Sequence, residues 1–119
     1  MTTAQATRAA TGIGVVTAVI GSALALAPAR AGQVARFDDE NGLRAIGLAD
    51  LALVPGLVAG TPRWPWMAGR GALNLAIAAY LLARAGGENA VGLRAAAAAL
   101  TTVTVGDIRV ACVLRRHDA

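Results

Sequence analysis

Lysine is missing from this chain of 119 residues, and all 11 of its basic side chains are arginine. Cysteine occurs once, at Cys112, and histidine once, at His117. A single thiol excludes an intrachain disulfide and any cysteine-based metal site, and a single imidazole excludes a His pair at metal spacing. His117 sits in the terminal run Arg115-Arg116-His117-Asp118, where solvent is its natural environment. The Ser and Thr residues of the apolar stretches therefore have no base for nucleophilic chemistry. Aromatic residues amount to 3%, too few for a base-stacking platform, and the arginines are scattered singly rather than in a stripe. The net charge of +4 thus does not indicate nucleic acid as a partner. There is no Gly-rich phosphate loop, so no cofactor is implied, and Gly12-x-Gly14 belongs to a packing face.

What the chain has in abundance is apolar sequence: 56% hydrophobic against 15% charged, which places it with membrane proteins rather than soluble domains. Abundant Ala, Gly and Arg beside absent Lys is the composition of a GC-rich bacterial genome. Four apolar runs, Thr11 to Ala29, Leu43 to Gly60, Met67 to Ala85 and Val91 to Leu114, each have the roughly 18 to 24 residues that cross a hydrocarbon core of about 30 Å. They predict an all-α protein, a single-domain four-transmembrane-helix bundle of up-down-up-down order whose immediate partner is the lipid bilayer.

In the first run, Gly14, Ala18 and Ser22 fall on one line and Thr17, Gly21 and Ala25 on the next, a face for close helix packing. Arg8, this run and Ala29-Arg30-Ala31 also fit a secretory signal peptide with its cleavage site; the run's length and the spans that follow favour a membrane helix. Arg30 to Asn41, with Arg36, Phe37 and the acidic triplet Asp38-Asp39-Glu40, reads as a solvated loop in preference to a short interfacial helix. The second span ends in Gly56-x-x-x-Gly60, a spacing that admits another helix closely. Thr61-Pro-Arg-Trp-Pro-Trp66 reads as a turn whose indoles anchor at headgroup level, and Gly86-Gly87-Glu88 as a breaker. Gly42-Leu-Arg-Ala45 and Gly92-Leu-Arg-Ala95 each follow a Glu-Asn pair, which raises a duplicated helical hairpin beside chance as their origin. The arginine balance slightly favours both termini in the cytoplasm.

The informative positions are the polar ones inside these runs. Asp50 lies in the second span, and an intramembrane carboxylate costs a few kcal/mol, so it must face protein or a wet cavity. Pro55 cannot donate to the Leu51 carbonyl, which frees a backbone acceptor about one turn from Asp50. Helix rise places Asp50 roughly 10 Å below one membrane surface, on the side of Arg44, Tyr80 and Arg94, with Arg94 or Tyr80 its expected partner. Arg70, Asn74, Asp107 and Arg109 fall in the opposite half, and Arg70 and Asn74 share a face at i and i+4. Two polar clusters result: Asp50 with Tyr80, Arg94 and Arg44 as the candidate for proton chemistry, and Arg70, Asn74, Asp107 and Arg109 as a structural ion-pair cluster.

Arg44 and Gly47-Leu-Ala-Asp50-Leu-Ala-Leu53, the polar pair of the third span and Gly106-Asp107 together resemble a group of small four-helix integral membrane proteins of actinobacteria and fungi, loosely DoxX-like. The resemblance covers spans two to four. It implies a four-helix membrane fold and no particular reaction; members tend to carry Asp where this chain has Asn74.

Three functions fit these residues. One is an intramembrane site for a lipophilic small molecule, with Asp50 as proton donor or acceptor and Arg94, Arg44 and Tyr80 orienting or tuning it. A second is a non-catalytic membrane subunit, homo-oligomer or assembly partner of a larger complex. The third, a proton-coupled exporter, lacks an acid in the first span and an aromatic lining.

Overall fold

The computed structural model describes residues 1–35 and 39–118, and every regular element in them is helical. Capping residues and prolines set the helix ends. Thr2 opens α1 (Thr3–Leu26) with a reciprocal box: its hydroxyl accepts from the Gln5 N–H at 3.2 Å, and the Gln5 side-chain oxygen accepts from the Thr2 N–H at 2.9 Å. The helix stops before Pro28, which starts α2 (Pro28–Ala35), a position where its missing N–H leaves no bond unmade. Much of the expected loop after Ala29 is therefore helix, while Arg36, Phe37 and Asp38 of that loop lie outside the described residues. Asp39 caps α3 (Glu40–Ala59) by accepting from the Gly42 N–H at 3.0 Å, and α3 continues through Pro55, which is exposed. α4 spans Trp64–Arg84 with Pro65 in its first turn. A single 3-10 turn, Gly87–Asn89, uses a left-handed Gly87 (φ 62°) to reverse the chain into α5 (Ala90–Asp118).

α1 packs along α3 and α4 along α5, each pair antiparallel: Gly14 lies at Leu57 and Gly21 at Gly47, while Asn74 meets Asp107 and Trp64 meets Arg115. The two pairs touch through α1–α5 and α3–α4. The α1–α3 seam is a backbone approach that glycine alone permits. A Cβ on Gly47 would stand 2.6 Å from the Ala25 nitrogen and 2.7 Å from the Gly21 oxygen. Gly56 and Gly60 behave differently from expectation: what sits over them is the Trp66 indole, so this pair seats a side chain rather than another helix.

Three helices, α1, α3 and α5, are long and apolar enough to cross a membrane. α4 has 21 residues, but Arg70 and Asn74 lower its hydropathy. The burial pattern runs opposite to that of a water-soluble domain. Val15, Val16, Val19, Leu75, Val103, Val105 and Ile108 are exposed, whereas Thr17, Asp50, Arg70, Asn74, Thr104 and Asp107 are buried. Those buried polar residues lie between two apolar layers. One is built on Ala6, Ala10, Leu57, Met67, Val110 and Leu114, the other on Leu43, Ile77, Leu81 and Leu93. Gly42 and Gly92 each occupy the third residue of their helix; Leu43 and Leu93 are both buried in the second layer, and Arg44 and Arg94 both face outward.

Candidate functional site

The polar layer is assembled by one residue pair on α4. Arg70 and Asn74 stand four apart on the buried face of that helix and reach across to both neighbours. Arg70 donates from Nε to the Thr17 hydroxyl of α1 at 2.9 Å and from Nη1 to Asp107 Oδ2 of α5 at 3.3 Å. Asn74 Nδ2 donates to the same Asp107 oxygen at 2.8 Å. Asp107 is 1% exposed, and its other oxygen, Oδ1, is buried with no hydrogen-bond partner among the described residues. A carboxylate can only accept, so the Asn74 amide must turn its nitrogen to Asp107 and its oxygen away.

Asp50 completes the layer from the middle of α3. It is 8% exposed and makes no hydrogen bond or ion pair among the described residues. Together with Arg70 and Asn74 it forms the polar part of a partly open cavity of about 290 Å³, just under the usual ligand-pocket range. All five helices line it: Leu24 from α1, Ala31 from α2, Leu43 and Ile46 from α3, Ile77 and Leu81 from α4, and Leu93, Ala96 and Leu100 from α5 supply apolar walls. The cavity thus occupies the second apolar layer, with the polar residues at its floor and α2 at its far end.

This arrangement departs from the two clusters expected of the sequence. Asp50 shares one site with Arg70 and Asn74 instead of lying apart from them. Arg44, Arg94 and Arg109 are exposed on their helices, and none of them lines the cavity. Tyr80 faces elsewhere: its hydroxyl donates to Asp39, while Arg84 lies 3.6 Å from the same carboxyl and 5.2 Å over the Tyr80 ring. The Tyr80 hydroxyl, and after it the Gly42 N–H, hold the Asp39 carboxyl below the usual carboxylate range, partly offset by burial. That group clasps the start of α3 to the end of α4.

Thr17 was legible only as a small packing residue, although a hydroxyl on an otherwise Gly/Ala face is itself a signal of a polar contact. At the opposite end, Arg63 Nη1 donates to the Thr7 carbonyl at 3.3 Å and the Thr11 hydroxyl at 2.9 Å, tying the Trp turn to α1. A second, mainly apolar groove of about 320 Å³ runs between α4 and α5 past Trp64, Leu75, Ile108, Cys112 and Arg115. It contains no carboxylate and does not reach the polar layer. No group of His, Cys, Asp and Glu able to hold a metal ion occurs among the described residues. Comparison with protein-family models, with curated proteins and with solved structures finds no match to this chain.

Proposed function

We propose that this protein is an integral membrane four-helix bundle in which α1, α3, α4 and α5 cross the bilayer and the cavity binds a lipophilic small molecule beside Asp50. The observation that carries the proposal is the pairing of a largely apolar cavity with a buried carboxyl that has no hydrogen bond or ion pair among the described residues. A buried polar group without a partner is costly, and a structure retains it where it serves a site. α4 joins the other three as a span because Arg70 and Asn74, which lower its hydropathy, are turned inward onto Asp107 and Thr17 rather than outward to lipid. An even number of crossings returns both termini to one side, the side of the Trp turn, and the arginine balance slightly favours the cytoplasm for that side. This is the architecture that a loosely DoxX-like four-helix protein would have.

Asp50 is the group placed to give a proton to a bound molecule or take one from it. The test is mass spectrometry of the organic extract of the purified protein. Wild type should yield an apolar compound beyond the bulk lipid, and Ala96→Trp, which fills the cavity, should not while keeping its helical circular dichroism. Identical extracts from the two proteins would refute the reading.

A further inference from the structure

The cavity presents two free hydrogen-bond acceptors, and the donors of its one arginine are partly committed. Arg70 spends Nε on Thr17 and Nη1 on Asp107, and Asn74 spends Nδ2 on Asp107. What remains uncommitted among the described residues is the Asp50 carboxyl, the Asn74 side-chain oxygen and the Arg70 Nη2 group, so the charge balance rather than the donor count decides what the cavity takes. Among the described residues the buried polar ones are Thr17 on α1, Asp50 on α3, Arg70 and Asn74 on α4, and Thr104 and Asp107 on α5. The Thr104 hydroxyl is turned back onto the Leu100 carbonyl at 2.8 Å. Two carboxyls therefore share one guanidinium, and that guanidinium is paired with Asp107. The site is one positive charge short, and the shortfall lies on the cavity wall. An anionic ligand would add to the imbalance, an alcohol would leave it, and an ammonium group would cancel it while donating to both free acceptors.

The geometry points to a lipophilic amine, bound as its ammonium ion with the nitrogen between Asp50 and Asn74 and the hydrocarbon body among Leu43, Ile77, Leu81 and Leu93, as the ligand class of this cavity. This rests on the reading of the cavity as a binding site. The test is calorimetric titration of the full chain in lipid nanodiscs, with empty nanodiscs subtracted, using 1-adamantanamine, 1-adamantanol and 1-adamantanecarboxylate, which share one apolar cage. An ammonium–carboxylate bond, charged on both sides, exceeds a hydroxyl–carboxylate bond by enough to give the amine an advantage over the alcohol of about tenfold or more, with the carboxylate weakest. Asp50→Asn should erase that advantage by weakening the amine more than the alcohol. Equal affinity of amine and alcohol in the wild type, a comparison that needs no variant, overturns the amine assignment and leaves the cavity reading standing; so does an advantage that survives in Asp50→Asn. Failure of all three probes to bind overturns both.

Discussion

Removing Arg70 should destabilise the protein far more than removing either carboxylate it stands beside. The reason is the count of buried charge: among the described residues Arg70 is the single buried cation, against Asp50 and Asp107. In Arg70→Met the Asp107 carboxyl loses a charge partner at 3.3 Å, Thr17 loses its donor at 2.9 Å, and Asp50 loses the cation that lines its cavity. The pair attraction alone is about 4 kcal/mol at 4 Å with an effective dielectric constant near 20, and losing one member of a buried pair costs about 3–5 kcal/mol. Asp107→Asn keeps the shape and an acceptor for Asn74, and leaves Arg70 with Asp50 as its counter-charge. Its cost should be about 1–2 kcal/mol, the scale of weakened hydrogen bonds. Asp50→Asn breaks no hydrogen bond or ion pair among the described residues and balances the remaining charges, so it should change stability by less than about 1 kcal/mol. The assay is SDS titration in mixed micelles followed by circular dichroism, with the three variants side by side. An Arg70→Met protein within about 1 kcal/mol of wild type, or an Asp107→Asn protein as damaged as Arg70→Met, would refute the charge count on which the site rests.

Other consequences are equally direct. Gly47→Val places side-chain atoms against the backbone of Ala25 and Gly21 and should cost about 1–3 kcal/mol by forcing α1 from α3; an unchanged midpoint in the same titration would disprove the seam. Arg63→Ala removes the bonds to Thr7 and Thr11 and should cost about 1 kcal/mol, seen as a lower Tm than wild type. The Asp39 carboxyl lies below its ordinary value of about 3.9 when folded, so its bond from Tyr80 adds stability above that value and loses it as pH falls through the folded one. Tyr80→Phe should therefore melt below wild type at neutral pH, with the gap closing in strong acid; a gap independent of pH would discard the assignment.

How much of this could be read in the residues depends on which interaction decides each feature. The apolar runs mark helices because hydropathy is local, and α1, α3 and α5 meet the requirements for crossing a membrane. Helix starts are less visible in hydropathy than in capping chemistry. Thr2 with Gln5 begins α1 at Thr3, ahead of the apolar run, and the Ala27-Pro28 step both ends α1 and nucleates α2 in sequence that composition alone marks as loop. The i, i+4 spacing suffices to put Arg70 and Asn74 on one face, and both then donate to the same Asp107 oxygen. Nothing local, by contrast, distinguishes Arg44, Arg94 and Arg109, which face outward, from Arg70, which faces inward. All four stand in apolar context, and only the three-dimensional packing chooses among them.

The depth of Asp50 shows why counting along single helices separated residues that the fold unites. Measured from the expected span ends, Asp50 is seven residues below one surface and Asp107 seven residues from the other, which in helices of about 20 residues leaves them under 10 Å apart along the bundle. That gap is within the reach of one arginine. Arg70, rooted on a third helix near the Asp107 level, bonds Thr17 and Asp107 and still lines the cavity with Asp50, so two notional layers collapse into one. The cavity follows from the same collapse. Polar groups gathered at mid-bundle divide the apolar interior in two, and the half toward α1's start and α5's end packs around Met67 and Leu57 while the half toward α2 is left with room. Filling that room with a larger side chain at Ala96 should therefore cost the fold little and the site everything.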